Sequence, residues 1–464
     1  MHTQITEIKT IQSETAARLL IFALIVCGFF AVFGQFSEPF ISHDDFDWLI
    51  PSNFDQGFES PWSKASTEGR WLNYPWSLLT VHLNINSAYY LFVALTIWMC
   101  ASISRLYMGR LSLIAALMFF FSPPAGELSL WPVTQSSSIL ITAACAAVLY
   151  FLHHNSARYI VLGGAVIASL LTYPAYAPMI LIAFGANLIN NKKEFLYTVI
   201  VYVSSYTLGI FIIFTLNWYF HDNFGINVAG WRHPTPLYPD GNLHQNITRY
   251  VKFWNDSLKY WPVILISIIA YAICLFSKIN VRKCLYVLLL SALVIAMEAS
   301  ASILQGLDLP SRTSLWLWVS LITPVLFIIR SKRFIFLSYA LAFSVLLLAV
   351  NSRSARLEDI YRTFPYANSL GETLVQAAAA NNGSYDNIIV FGDYTENHIT
   401  KFLHSNRHLR NYLYKQFGLY TRACDQDLCK KIETDLHARQ EIPVTTIIDR
   451  NLVLVLSPNI GWTY

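Results

Sequence analysis

The sequence predicts an all-α polytopic membrane protein of about eleven transmembrane helices, with a small α/β domain at its C-terminal end. Three observations predict it. The 464 residues are 55% hydrophobic and only 13% charged, about half the charge of an average soluble domain. Apolar runs near the length that crosses a ~30 Å hydrocarbon core recur along the first 350 residues. Past residue 351 the composition shifts sharply to charged and turn-forming residues.

The chain is polar to about residue 16 and apolar from Ala17 to Phe36; no small-residue cleavage site follows, so a retained first helix is expected. Further apolar runs lie at 88–104, 111–121, 135–152, 159–173, 175–189, 195–219, 261–277, 284–302, 314–329 and 333–350. The run at 111–121 is short, and only the turn Tyr173-Pro174-Ala175-Tyr176 parts the fifth run from the sixth. With the N-terminus inside, Arg105 and Arg110, Arg158, Lys192 and Lys193, Lys278, Arg282 and Lys283, and Arg330, Lys332 and Arg333 all fall on the cytoplasmic side. That is the positive-inside pattern of a multi-pass inner-membrane protein. The outer side then receives the loop 37–87, the segment 122–134, the Tyr-Pro turn, 220–259 and 303–313. Trp62, Trp71, Trp76, Trp131, Trp231, Trp254 and Trp261 fall there too, as an interfacial belt or as flat faces against a sugar ring.

An odd number of spans places the tail outside as well. The chain divides into a transmembrane domain, 1–350, and a soluble periplasmic α/β domain, 351–464. The tail is expected to hold a helix near Ala355–Asn381 and two strand-like runs, Asn387–Phe391 and Thr445–Leu456. Of the seven cysteines five lie in or beside apolar runs, whereas the spacing of Cys424 and Cys429 permits a short-loop disulfide in an oxidising compartment.

Chemistry concentrates in the loop 37–87. It opens on Ile41-Ser42-His43-Asp44-Asp45-Phe46-Asp47-Trp48 and continues to Gly69-Arg70-Trp71-Leu72. Adjacent carboxylates repel, so one of them holds its proton to higher pH unless a cation compensates, which suits a general base. The same pair also suits a helix cap or a solvated turn. An arginine beside it at a bilayer surface can hold a phosphate, or simply anchor at the headgroups. His43 can hydrogen-bond a carboxylate, and a divalent ion on Asp44 and Asp47 stays open, although no set of three or four hard ligands stands at a readable spacing. No metal site and no cofactor is predicted.

An acidic pair in the first outer loop, then Gly69-Arg70-Trp71, in a chain of about eleven spans with an outer soluble tail, resembles the C-type glycosyltransferase superfamily. In particular it resembles the serotype-converting O-antigen glucosyltransferases, which move a sugar from undecaprenyl phosphate to the O-antigen of lipopolysaccharide. The resemblance implies an inverting displacement at the anomeric carbon, with Asp44 or Asp45 as general base and polyprenyl phosphate as leaving group. Arg70, with Trp71 beside it, or Arg312 would stabilise that phosphate. The implied partners are undecaprenyl-phosphate sugar, an O-antigen acceptor and the bilayer.

Four further positions join the candidates. Glu298 lies inside the outer end of an apolar run, where an ionisable group faces a cavity or a partner, with Arg312 as the expected partner. Arg312 is equally placed to pair with Asp308. Glu127 sits at the outer edge of another span, facing the site or water, and Arg232 and His233 can meet a phosphate, an acceptor sugar or anionic lipid. The small, scattered net charge of +4 argues against a nucleic-acid surface. Gly-rich phosphate loops, His-Glu-x-x-His and Gly-x-Ser-x-Gly are absent from the sequence. The competing readings are transfer to lipid A, a teichoic polymer or protein, and transport or flipping of a lipid-linked saccharide, which would place ionisable groups and broken helices near mid-membrane.

Overall fold

The structure, a computed structural model, describes residues 41–50, 61–108, 112–228, 234–238, 241–331, 334–381, 383–392, 406–439 and 443–457, with isolated positions 19, 22, 26 and 441. Apart from those positions 19, 22 and 26, the predicted first span lies outside the described residues, as do Arg232, His233 and the side chains of His43 and Asp44.

Two short helices, α1 (Pro61–Glu68) and α2 (Asn73–Thr80), precede the long α3 (Ile85–Met108), α4 (Ser112–Phe120), α5 (Pro123–Leu128) and α6 (Pro132–Phe151). They are followed by α7 (Asn155–Leu170), α8 (Tyr176–Leu188), α9 (Lys192–His221), α10 (Leu243–Ser257), α11 (Trp261–Phe276), α12 (Val281–Gln305), α13 (Leu315–Ser331) and α14 (Ile335–Ala380). Among the described residues six helical stretches are long and apolar enough to cross a membrane: Ile85–Leu106, Pro132–Phe151, Lys192–His221, Leu243–Phe276, Val281–Gln305 and Ser311–Ser331. Shorter apolar helices cover Ser156–Leu170, Tyr176–Leu188 and Leu337–Arg353. The chain is thus a helical membrane protein, and described helices overlie every predicted run after the first.

Helix α8 is the hub of the bundle. It packs against α3, α6, α7, α9, α12 and α13, and its residues from Tyr176 to Phe184, other than Pro178, are almost entirely buried. An apolar helix with no exposed stripe must be wrapped by other helices. The nine-residue α4 is about 14 Å long by helical rise; it ends inside the bundle, with Met118 and Phe119 buried. Helix α10 differs from expectation, since 220–259 reads as an outer loop. Its exposed Leu243, Ile247 and Val251, continued by Leu258 just past its end, form one apolar stripe, while Asn246, Phe253 and Ser257 are buried against the bundle.

Helix α14 runs 46 residues unbroken through the predicted domain boundary at 350. At about 69 Å it outreaches the apolar layer and carries the tail. There β1 (Asn387–Phe391), α15 (Asn406–Phe417), β2 (Thr421–Arg422), α16 (Gln426–His437), β3 (Thr445–Ile448) and β4 (Asn451–Val455) follow. The sheet order is β2-β1-β4-β3, with β1 parallel to both neighbours and β3 antiparallel to β4. The second strand-like run is therefore a hairpin, turned by Asp449 and Arg450, both at positive φ. Both faces of β1 and β4 are covered, which is why each reads as an apolar run. Ile388, Val390, Leu452 and Leu454 face α14, α15 and the acidic loop; Ile389, Phe391, Val453 and Val455 face α16. A disulfide joins Cys424 to Cys429 beneath that second face, Cα to Cα 5.3 Å.

Candidate functional site

The acidic segment is wedged between bundle and tail. Asp45 N donates to Ser42 O at 3.0 Å and Leu49 N to Phe46 O at 3.0 Å, winding His43–Trp48 into a 3-10 turn. Ser42 N reaches Leu130 O at 2.8 Å, so the segment runs beside the start of α6. On the tail side Phe46 meets Tyr412 edge to face at 5.7 Å, Asn411 Nδ2 donates to Asp47 Oδ1 at 3.1 Å, and Lys415 Nζ donates to Leu49 O at 2.7 Å and Val81 O at 3.1 Å. Burial holds the Lys415 amine below its ordinary range.

Asp45 is fully buried, and both its oxygens are in use. Val133 N donates to Oδ2 at 2.6 Å and Thr134 N to Oδ1 at 3.1 Å, joined by the Thr134 hydroxyl. Helix α6 begins on Trp131, whose side chain caps nothing, and on Pro132, which has no amide hydrogen. The next two amides need an acceptor, and one arrives from 88 residues away. A carboxylate there also meets the positive end of the helix dipole.

The Gly-Arg-Trp stretch divides its tasks. Gly69 has φ +72, a backbone conformation that favours glycine, and a Cβ on it would press on the Ile213 side chain at 3.0 Å. Arg70 is 8% exposed, its Nη2 lies 2.6 Å from Glu68 Oε2, and its guanidinium carbon lies 4.8 Å from the centre of the Tyr173 ring. Its Nε is buried with no hydrogen-bond partner. Trp71 is a bracket: its Nε1 donates to Asn217 Oδ1 at 2.8 Å, and Asn217 in turn donates to Ser66 O and Gly225 O.

Arg312 comes to the same tyrosine from the other end of the bundle's sequence. Its Nε donates to the Tyr173 hydroxyl at 3.1 Å, and its guanidinium carbon lies 4.4 Å from the centre of the Trp131 ring. The preceding Ser311 donates to Glu127 Oε2 at 3.0 Å. Arg353 closes the back: its Nη1 donates to Phe120 O at 2.6 Å, and its side chain fills the space a Cβ on Gly126 would occupy.

The structure thus gathers Asp45, Arg70, Glu127 and Arg312 around Trp131 and Tyr173, while Asp47 faces the tail through Asn411. Glu298 does not pair with Arg312. Its Oε1 receives Trp316 Nε1 at 2.7 Å, and its buried Oε2 has no hydrogen-bond partner. Arg312 turns from Asp308 as well, because the stack on Trp131 and the phenol bond hold it elsewhere. Among the described residues no group of three metal-ligating side chains occurs. Tyr173, Ser311, Asn411 and Lys415 are additions to the sequence reading; the only local sign of Tyr173 was the Tyr-Pro turn.

Glu68 balances the charge of Arg70, whereas Arg312 forms no ion pair among the described residues. A guanidinium fixed by an indole and a phenol, with donors left over, is arranged to receive an anion. No family model, no curated protein and no solved structure matches this chain.

Proposed function

We propose that this protein is a membrane glycosyltransferase that moves a sugar, glucose in our assignment, from undecaprenyl phosphate to the O-antigen of lipopolysaccharide on the periplasmic face. The observation that carries the reading is the convergence of Arg312 and Arg70 on Tyr173, beside the acidic segment, at one end of a membrane bundle. The proposed topology has eleven spans, with the N-terminus in the cytoplasm and the acidic loop and tail in the periplasm. Its support is charge: Lys283 lies within electrostatic reach of Arg330 and Arg158, so basic connections distant in sequence share one region.

In the proposed reaction the acceptor hydroxyl oxygen attacks the anomeric carbon, its proton passes to a carboxylate, and the bond from that carbon to the phosphate oxygen breaks with its electron pair on the phosphate. A phosphate leaving group needs charge stabilisation more than a proton. Arg312 is assigned that task, with Arg70 behind it. Because both oxygens of Asp45 are committed to α6, the base is assigned to Asp44, and Asp45 is assigned the placing of Trp131 and hence of Arg312. The lipid-linked donor is a substrate, and the reading calls on no cofactor.

The test is incubation of purified protein with radiolabelled undecaprenyl-phosphate glucose and O-antigen lipopolysaccharide. Label should enter the polysaccharide with wild type and not with Asp44→Asn. Movement of the lipid across vesicles without transfer would replace the reading by a flippase.

A further inference from the structure

A second cluster of cations lies away from the acidic segment, where three helices begin. Tyr159 of α7 donates to Glu194 O of α9 at 3.5 Å, and Phe195 of α9 stacks on Tyr286 of α12 at 5.1 Å, so the first turns of α7, α9 and α12 adjoin. The Arg158 Nη2 bonds Asn187 at the end of α8, and Asn187 Nδ2 donates to Leu106 O at 2.5 Å. Lys283 lies within electrostatic reach of Arg330, Arg158 and Glu194. Arg158 and Lys283 therefore stand beside the carboxylate of Glu194, which is already engaged: Glu194 Oε2 accepts from Asn190 N at 2.7 Å.

Like charges gathered in this way destabilise a fold unless an anion joins them. Among the described residues Lys283 makes no hydrogen bond or ion pair, the Arg158 side chain bonds only Asn187, and its buried Nε has no hydrogen-bond partner. Helices α7 and α12 also begin without a side-chain cap, leaving the positive ends of two dipoles open. The flanks are apolar and exposed, with Ile160, Leu196, Ile200, Leu285 and Leu289 uncovered by protein. Cations at a helix junction above an apolar flank match a phosphate that carries acyl chains.

We propose that Arg158 and Lys283 form a site for the phosphodiester headgroup of an anionic phospholipid, in the leaflet opposite the acidic loop. The assignment does not depend on the transferase reading. It is tested by melting the purified protein in neutral detergent with added phosphatidylglycerol, phosphatidylcholine or inorganic phosphate. Phosphatidylglycerol should raise the wild-type Tm by several degrees and phosphatidylcholine by much less. Removing charge with Arg158→Gln/Lys283→Gln should abolish the rise, with affinity falling about fivefold per cation, while Arg158→Lys/Lys283→Arg keeps it. If the double variant does not fold, Lys283→Gln, at a half-buried first-turn position, carries the same comparison. An equal rise in wild type and charge-free variant, or with phosphatidylcholine, overturns the site. A rise as large with inorganic phosphate overturns the lipid as its occupant.

Discussion

Arg312 and Asp45 show what a single side chain contributes at this site. Arg312 is held by its stack on Trp131 and its bond to Tyr173 while its charge stays uncompensated among the described residues. Replacing it with Gln should lower kcat for sugar transfer by about 10²- to 10³-fold, the usual cost of losing one charge-stabilising donor. Lys, a point charge without the planar fork, should restore only part. Transfer by Arg312→Gln within twofold of wild type would remove it from the mechanism. The two aspartates should separate under measurement. Asp44→Asn should stop transfer and leave the melting temperature unchanged; Asp45→Asn should also destabilise by about 1–2 kcal/mol, the range for losing a buried helix cap. The sequence marked the pair but not the division of labour, because Asp45 finds its amides 88 and 89 residues away. Arg312 was legible as an arginine at the edge of an apolar run. Its partners were not, since Trp131 and Tyr173 stand near it only after α6, α7 and α13 pack.

Among the elements, α15 matters most to the site. It touches the acidic segment through Asn411, Tyr412 and Lys415, and Tyr412 is fully buried. Tyr412→Ala should cost about 3–5 kcal/mol, as large-to-small changes of buried aromatics do, and hydrogen exchange should then speed up at the amides of Asp45 and Leu49. Unchanged exchange there would mean the tail does not steady the segment. Burial lowers the Lys415 pKa, so its charge opposes docking at neutral pH. That penalty is relieved as pH rises through the depressed folded value towards the ordinary ~10.4. Docking should tighten with rising pH, and Lys415→Met should flatten the dependence in a melting series. Helix α10 and the β3–β4 hairpin were the elements misread: one apolar stripe in three hides in a polar stretch, and a two-residue turn hides in a long apolar run.

For the whole molecule, the proposed orientation makes a prediction of its own. Cysteines placed at Lys193, in the basic region, and at Lys431, in the tail, should react with an impermeant thiol reagent from opposite sides of the membrane in oriented vesicles. Reaction of both from one side would refute the topology and with it the periplasmic site. Class and the placing of the helices were open to reading because they depend on local quantities: the length of an apolar run and the two-sided burial of β1. Those properties belong to consecutive residues and survive without a neighbour. The sequence by itself therefore determined a helical membrane protein with a mixed tail and a polar loop carrying the acidic pair. Tertiary structure alone decided that Asp45 caps α6, that Arg70 and Arg312 share Tyr173, that Glu298 answers Trp316, and that α14 joins bundle to tail without a break. Each depends on groups far apart in sequence, and their meeting is set by which helix faces exclude lipid together.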